Sequence, residues 1–343
     1  MAARQVNAEE LLRRAAAASG TQEVTARRFL DSLSSIVRDE IRHGNDVLLT
    51  NGLGFAAKGE AAQKVETARD KDRYRILFVV PQKDFFSNVI AQRLTGPKSE
   101  VGQVEGAESG LMDLKRERPD LVVLDSNVPG ARDLCRGVKR QRDTSLVSII
   151  MIYGEGTDPA AVAGFKVCED ESITEPFEIS DLVELAESEI ARAGEERAFF
   201  QHEIHFQFRT REDTIEEAND FIAELVAQSG ISDEGAAAFT VAFREAVDNA
   251  ARHGNKSQEN RVIDTIYILD REKITVTIED EGDGFDTELY LTRGVEGNPV
   301  AVARERNIAG RAGGLGIMLM LKCLDNLEYN YVGNMVKLTK FVK

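Results

Sequence analysis

Three almost wholly apolar runs, at residues 76–80, 121–124 and 147–152 with Ser148 the one polar member, constrain this chain more than any other feature. A strand with one face in water alternates apolar and polar residues. A run that is apolar at every position needs cover on both faces. Between the runs lie helical patterns, such as 84–94 and 181–190. Buried strands separated by amphipathic helices predict a doubly wound α/β layout with a parallel sheet. Ligand sites in such sheets lie beyond the carboxyl ends of the strands.

Downstream the period changes. Residues 203–209 (EIHFQFR) alternate, with Ile204, Phe206 and Phe208 on one face. Helical patterns follow over 214–228 and from Ser232, then strands over 262–269 and 273–279. A glycine-containing loop, a helix over 317–323 and a hairpin turning on Gly333-Asn334 complete the segment. The expectation is an α+β sandwich, an antiparallel-rich sheet with helices on one face. Two charged stretches without an apolar stripe, 61–72 and 193–202, read as linkers or as helical connectors with little to bury. They divide the chain into 1–60, 73–192 and 203–343.

Lys and Arg number 43 against 59 Asp and Glu, a net charge of −16 in 343 residues. The first 60 residues are neutral, with eight basic and eight acidic side chains, and no segment is basic. Nucleic-acid binding therefore has little electrostatic footing. Cys135, Cys168 and Cys323 are dispersed, which excludes a disulfide framework and a zinc signature and points to a reducing compartment. The longest apolar stretches run to about eight residues, against roughly 20 for a bilayer span. The expectation is a cytoplasmic protein with no membrane partner.

Three constellations in 203–343 carry chemistry. Glu245 and Asn249 stand four apart and share a helix face, with His253 one turn further on. A carboxylate beside an amide oxygen suits Mg²⁺, which keeps waters and takes other oxygens from phosphates. The string EDEGDGFD puts Asp280 at a strand end, followed by Gly282 and Gly284. Such a carboxylate can accept from an exocyclic amine, and glycines let backbone approach a ring. Residues 310–316 (GRAGGLG) open a helix, whose bare N–H groups and dipole suit phosphates. Singly, these are a solvated helix face, a turn and a loop.

In this order the set resembles the N, G1 and G2 boxes of the GHKL ATPase superfamily, the Bergerat ATP-binding fold, over residues 203–343. Within it, EAVDNAARHG, GLGIMLMLKCLDNLEYN and KLTKF resemble the anti-sigma factor serine/threonine kinases. The resemblance implies ATP and Mg²⁺ as cofactors, with Glu245 as general base and Asn249 as Mg²⁺ ligand. It places Asp280 against the adenine amine, Gly282 and Gly284 beneath the ring, and Gly313, Gly314 and Gly316 around the triphosphate. His253 joins the cofactor-binding set, and 285–312 would form the lid.

The middle segment has a second resemblance. PDLVVLDSNVPG and ITEPFEISDLVELAES are similar to the phosphoacceptor strand and the last strand and helix of response-regulator receiver domains, over about 74–192. Asp125 falls at the acceptor position. The family's acidic pair is replaced by Pro81-Gln82, its Thr/Ser by Tyr153 and its Lys by Glu175. Two like charges 4 Å apart repel by roughly 4 kcal/mol at an effective dielectric near 20. A glutamate near a phosphoryl group thus opposes what a lysine would stabilise. The expectation is a pseudoreceiver, not phosphorylated on Asp125, that serves interaction or dimerisation.

In 1–60, helical patterns over 8–20 and 22–42 lead to a short strand at 47–49 and to GNDVLLTNGLGFAAKGEAA. This resembles the first half of the HU/IHF histone-like DNA-binding fold. Its third strand and basic arm have no counterpart, so a helical half-fold used for homodimerisation is expected, with DNA binding through 1–60 the lesser alternative.

The chain thus reads as an ATP/Mg²⁺-binding signalling regulator, a serine/threonine protein kinase of partner-switching type or a regulator on that scaffold. A sigma factor or an anti-anti-sigma-like protein is the kind of partner implied. A sensor histidine kinase would need a phosphorylatable His on a helical hairpin upstream. His202 and His205 lie instead at an alternating strand, and no hairpin fits 191–203. The alternatives are a non-catalytic nucleotide-binding dimeric scaffold and a nucleoid-associated transcription regulator.

Overall fold

The computed structural model describes residues 47–49, 53–55, 73–284 and 315–342. The helices expected over 8–20 and 22–42, the HU-like reading built on them, the 61–72 linker, the lid and Gly313 and Gly314 lie outside the described residues. Strands β1 (Val47–Leu49) and β2 (Leu53–Phe55) pair antiparallel, Val47 opposite Phe55.

The middle segment is the expected α/β unit. Strands β3 (Tyr74–Val80), β4 (Ser99–Glu105), β5 (Leu121–Asp125), β6 (Ser148–Tyr153) and β8 (Glu171–Thr174) form a parallel sheet in the order β4-β3-β5-β6-β8. Helices α1 (Phe85–Leu94) and α4 (Ile179–Phe199) cover one face, where Ile76, Phe78, Val123 and Ile150 meet Ile90, Leu182 and Ala186. On the other face, Leu77, Val79, Val122 and Ile149 meet α2 (Ala107–Glu117) and α3 (Ala131–Arg140) through Leu114, Leu134 and Val138. The continuous apolar runs are therefore explained by two cores, one on each side.

One crossover departs from the alternation. Among the described residues, the chain between β6 and β8 carries no helix. It contains a three-residue strand, β7 (Phe165–Val167), which pairs antiparallel with β9 (His202–Arg209) of the following segment. The second sheet has the order β12-β13-β11-β10-β9-β7, all antiparallel. Its other members are β10 (Val262–Leu269), β11 (Lys273–Asp280), β12 (Asn326–Tyr329) and β13 (Met335–Phe341). Helices α5 (Glu212–Ala227), α6 (Asp233–Asn249) and α7 (Leu315–Cys323) supply Phe221, Phe239, Phe243 and Met320 to the core over this sheet.

The two units share a seam. Phe165 of β7 packs on Phe206 and Phe221, with ring centroids 5.5 and 5.3 Å apart, and Val167 is buried in the C-terminal core. Arg136 of α3 lies over the rings of Phe165 and Phe221 and pairs with Glu217 of α5 at 2.6 Å. Residues 193–202 form the end of α4 and the entry to β9, with Ala193, Phe200 and His202 buried. None of the described helices is long and apolar enough to cross a membrane.

Candidate nucleotide site

The site lies where α6 ends beside the end of β11. Ser232 caps α6, its hydroxyl accepting from the Gly235 N–H at 3.1 Å. Phe239, Ala242, Phe243, Ala246 and Val247 turn into the core, leaving Glu245 and Asn249 half-buried. The helix then passes into a π turn, Ala250–Gly254, closed by Asn255 N–H donating to the Ala250 carbonyl at 2.7 Å. π segments are rare and gather at functional sites. The wider turn breaks the 3.6-residue period that aligned His253 with Glu245 and Asn249. His253 is exposed, and Asn255 is the residue taken inside.

That buried amide organises its surroundings. Asn255 Nδ2 donates to Thr210 Oγ1 at 2.8 Å and to the Val262 carbonyl at 3.0 Å. Its Oδ1 accepts from the Glu281 N–H at 2.9 Å. One side chain thereby links the end of α6, the residue after β9, the start of β10 and the loop after β11. Sequence reading missed it because an Asn after a helix looks like an ordinary stop signal.

Asp280 closes β11. Its N–H donates to the Asn334 carbonyl at 3.0 Å, which holds the β12–β13 turn against the strand end. Asp280 Oδ1 accepts from the Gly282 N–H at 2.8 Å. Burial pushes the carboxyl up, the Gly282 N–H pulls it back and neighbouring Glu279 adds to the rise, leaving it at about 6. Backbone walls this carboxylate in. A Cβ on Gly254 would collide with the Asp280 carboxylate, and one on Gly282 with the Gly254 carbonyl. Gly284, at φ +75°, meets the Val332 carbonyl in the same manner. Gly316, in the first turn of α7, leaves no room for a Cβ against Glu245 Oε1.

Tyr329 was not singled out from sequence. Burial raises its phenol well above the ordinary range, and the Glu245 and Asp280 carboxylates add to the effect. It therefore stands within electrostatic reach of both site carboxylates. The signal was available: Tyr329 shares strand parity with core-facing Leu327 at the end of β12.

Chemically, the site offers a walled carboxylate that accepts from an amine or N–H, next to glycine backbone. Glu245 and Asn249 offer a carboxylate and an amide oxygen, a donor set that fits Mg²⁺ completed by water and phosphate oxygens. Glu245 also meets the first turn of α7, where helix N–H groups favour negative charge.

The receiver-like acceptor position is arranged differently. Asp125 ends β5, and its Oδ1 accepts from the Asn127 N–H at 2.8 Å. Pro81 and Gln82 are exposed. Tyr153 is buried, and its hydroxyl donates to Glu169 at 2.6 Å, a carboxylate also held by Arg132 at 2.8 Å. Among the described residues no three His, Cys, Asp or Glu side chains are grouped to hold a metal.

Comparison with known proteins agrees with the geometry. Residues 208–340 match the family described as histidine kinase-like ATPase domain. The serine-protein kinase RsbW of Listeria monocytogenes serovar 1/2a is 30% identical over 122 residues, 35% of this chain and 75% of that protein. RsbW of Staphylococcus aureus is 35% identical over 106 residues, 30% of this chain and 64% of that protein. The phosphate regulon transcriptional regulatory protein PhoB of Rhizobium meliloti is 26% identical over 120 residues, 34% of this chain and 53% of its own length. Among solved structures, a response regulator from Chloroflexus aurantiacus aligns over 35% of this chain and 99% of its own, at 25% identity and a TM-score of 0.31. By the extent of the first of these likenesses and the match over its C-terminal sandwich, the chain belongs to the histidine kinase-like ATPase family.

Proposed function

We propose that this protein binds ATP with Mg²⁺ and acts as a serine/threonine protein kinase of anti-sigma, partner-switching type. The observation that carries the reading is Asp280: a carboxylate at a strand end, walled by Gly254 and Gly282, with the Gly282 N–H already on one oxygen. Its free acceptor capacity suits the adenine amine, and glycine backbone leaves space for a flat ring. Bound Mg²⁺ would neutralise charge on the phosphates. Asn249 would supply an oxygen to it, and Glu245 would accept the proton of the partner's hydroxyl. Tyr329 would close the space between the two carboxylates and keep water from it.

The receiver-like unit serves this reading as an interaction module. Its Tyr153 hydroxyl is taken up by Glu169 where phosphoryl chemistry would need a small hydroxyl, and Glu175 stands where it would need a cation. The substrate is a regulatory protein, of the sigma-factor or anti-anti-sigma class, and residues 1–60 hold two copies together. Calorimetric titration of the full chain with ATP, with and without Mg²⁺, tests the first step. A phosphotransfer assay against co-purifying proteins tests the second. Absence of ATP binding sinks the proposal; binding without transfer to any partner leaves a nucleotide-dependent scaffold in its place.

A further inference from the structure

On the sheet face opposite the helix-covered core, three side chains from distant parts of the chain meet. Cys168 follows β7, and its N–H donates to the His205 carbonyl at 2.9 Å, so the two residues face each other across the antiparallel pair. Val167 and Phe206 alongside them point into the core, which places Cys168 and His205 on the opposite face. His205 Nε2 lies 2.8 and 3.0 Å from the two Asp264 oxygens. The Cys168 side chain stands on the same face beside that imidazole, its cross-strand neighbour. Gln207 Nε2 donates to Asp264 at 2.6 Å and fixes the carboxylate.

This is a thiol, an imidazole and a carboxylate in the order that activates cysteine nucleophiles. Burial disfavours charge on His205, but Asp264 and the Cys168 thiol outweigh it and raise the imidazole to about 10. Cys168 and His205 are 7% and 9% exposed, whereas the Asp264 side chain is 29% exposed. The group thus meets solvent at its carboxylate end. The other cysteines lack such a setting. Burial pushes the Cys135 thiol far up, and its Sγ has the Val167 carbonyl at 3.9 Å. Cys323 on α7 packs against the apolar core.

We propose that Cys168 is a modification site whose sulfur, positioned by His205 and Asp264, reacts with hydrogen peroxide to form a sulfenic acid. An S–O bond forms and the O–O bond breaks; sulfur is oxidised and peroxide reduced. His205, held charged beside Asp264, gives a proton to the departing oxygen, which leaves as water, and the thiol proton restores the imidazolium. Because β7 comes from the receiver-like unit and β9 from the ATPase unit, the oxidised side chain would sit in the strand pair that joins them. His205 and Asp264 are positioning residues for this chemistry.

The test uses the full chain, hydrogen peroxide, dimedone as the sulfenic-acid trap and peptide mass spectrometry, with Cys323 as the internal reference. A positioned proton carrier contributes about 10²–10⁴-fold in favourable cases, so Cys168 should label at least roughly tenfold faster than the more exposed Cys323. Asp264→Asn and His205→Gln should each remove most of that advantage and leave the Cys323 rate unchanged. Circular dichroism and the Cys323 rate report folding, and if His205→Gln does not fold the Asp264→Asn variant decides. Cys168 labelling no faster than Cys323, or unaltered labelling in folded Asp264→Asn, overturns the proposal.

Discussion

If Asp280 reads an amine, nucleotide affinity must follow its ionisation. The carboxyl stands at about 6, against 3.8 for the free side chain, because burial outweighs the Gly282 N–H bond. Only the carboxylate accepts freely, so protonation removes the acceptor. With a midpoint near 6, about one molecule in ten is ionised at pH 5, and affinity should fall about tenfold between pH 7.5 and pH 5. The nucleotide's terminal phosphate also titrates near 6, so a raw profile mixes two groups. Asp280→Asn separates them, since phosphate titration is common to both proteins. Calorimetry across pH 5–8 should show the wild-type profile steeper than that of the variant. At pH 7.5 the variant should bind about 10–100-fold more weakly, from the roughly 1.5–3 kcal/mol of a charged hydrogen bond. Without ligand the sign reverses: a raised carboxyl makes the folded protein more stable as pH falls from about 6 towards 3.8. Parallel pH profiles for the two proteins would refute the reasoning.

Gly316→Ala should abolish ATP binding or displace Glu245, since a Cβ there has no space beside the Glu245 carboxylate; equal calorimetric affinity would count against that packing. Glu245→Gln should keep ATP affinity and lower phosphotransfer by about 10²-fold or more, read by radiolabel incorporation, if Glu245 is the general base. Beryllofluoride with Mg²⁺ should leave Asp125 unmodified by fluorine NMR, and a stoichiometric adduct would restore the receiver chemistry. Deleting residues 1–60 should convert a dimer to a monomer by light scattering; a truncated dimer would move the contact to 73–343.

Much of the fold was legible, and what was missed has a physical pattern. The runs at 76–80, 121–124 and 147–152 announced parallel strands because burial on both faces leaves little place for polar residues, Ser148 being the one among them. Asp280, Gly282 and Gly316 were legible because each is demanded by a steric or hydrogen-bonding condition that few residues meet. β7 was not. Three residues carry no measurable period, and their partner strand begins 35 positions later. The π turn was equally silent, since its extra residue is stabilised by Asn255 reaching Thr210, Val262 and Glu281, contacts that no local pattern encodes. That turn is why His253 is exposed and does not share the face of Glu245 and Asn249.

The seam shows which forces join the two units. Arg136–Glu217 and Arg140–Glu224 are the visible charge pairs, but all four side chains are between 37% and 45% exposed, so each pair contributes between zero and about 1 kcal/mol. Val167 is fully inside the C-terminal core and Phe165 packs against it, and burying such side chains is worth about 1.5–3 kcal/mol each. Backbone pairing of β7 with β9 also covers the sheet edge that would otherwise present unpaired groups. Apolar burial therefore dominates, and salt should weaken the union little. A receiver-like unit joined through a strand of its own crossover is not a loosely tethered sensor. A shift of that crossover would act on the ATPase unit through α5 and through β9, whose far end reaches Asn255 through Thr210 and, through Asn255, the loop that follows Asp280.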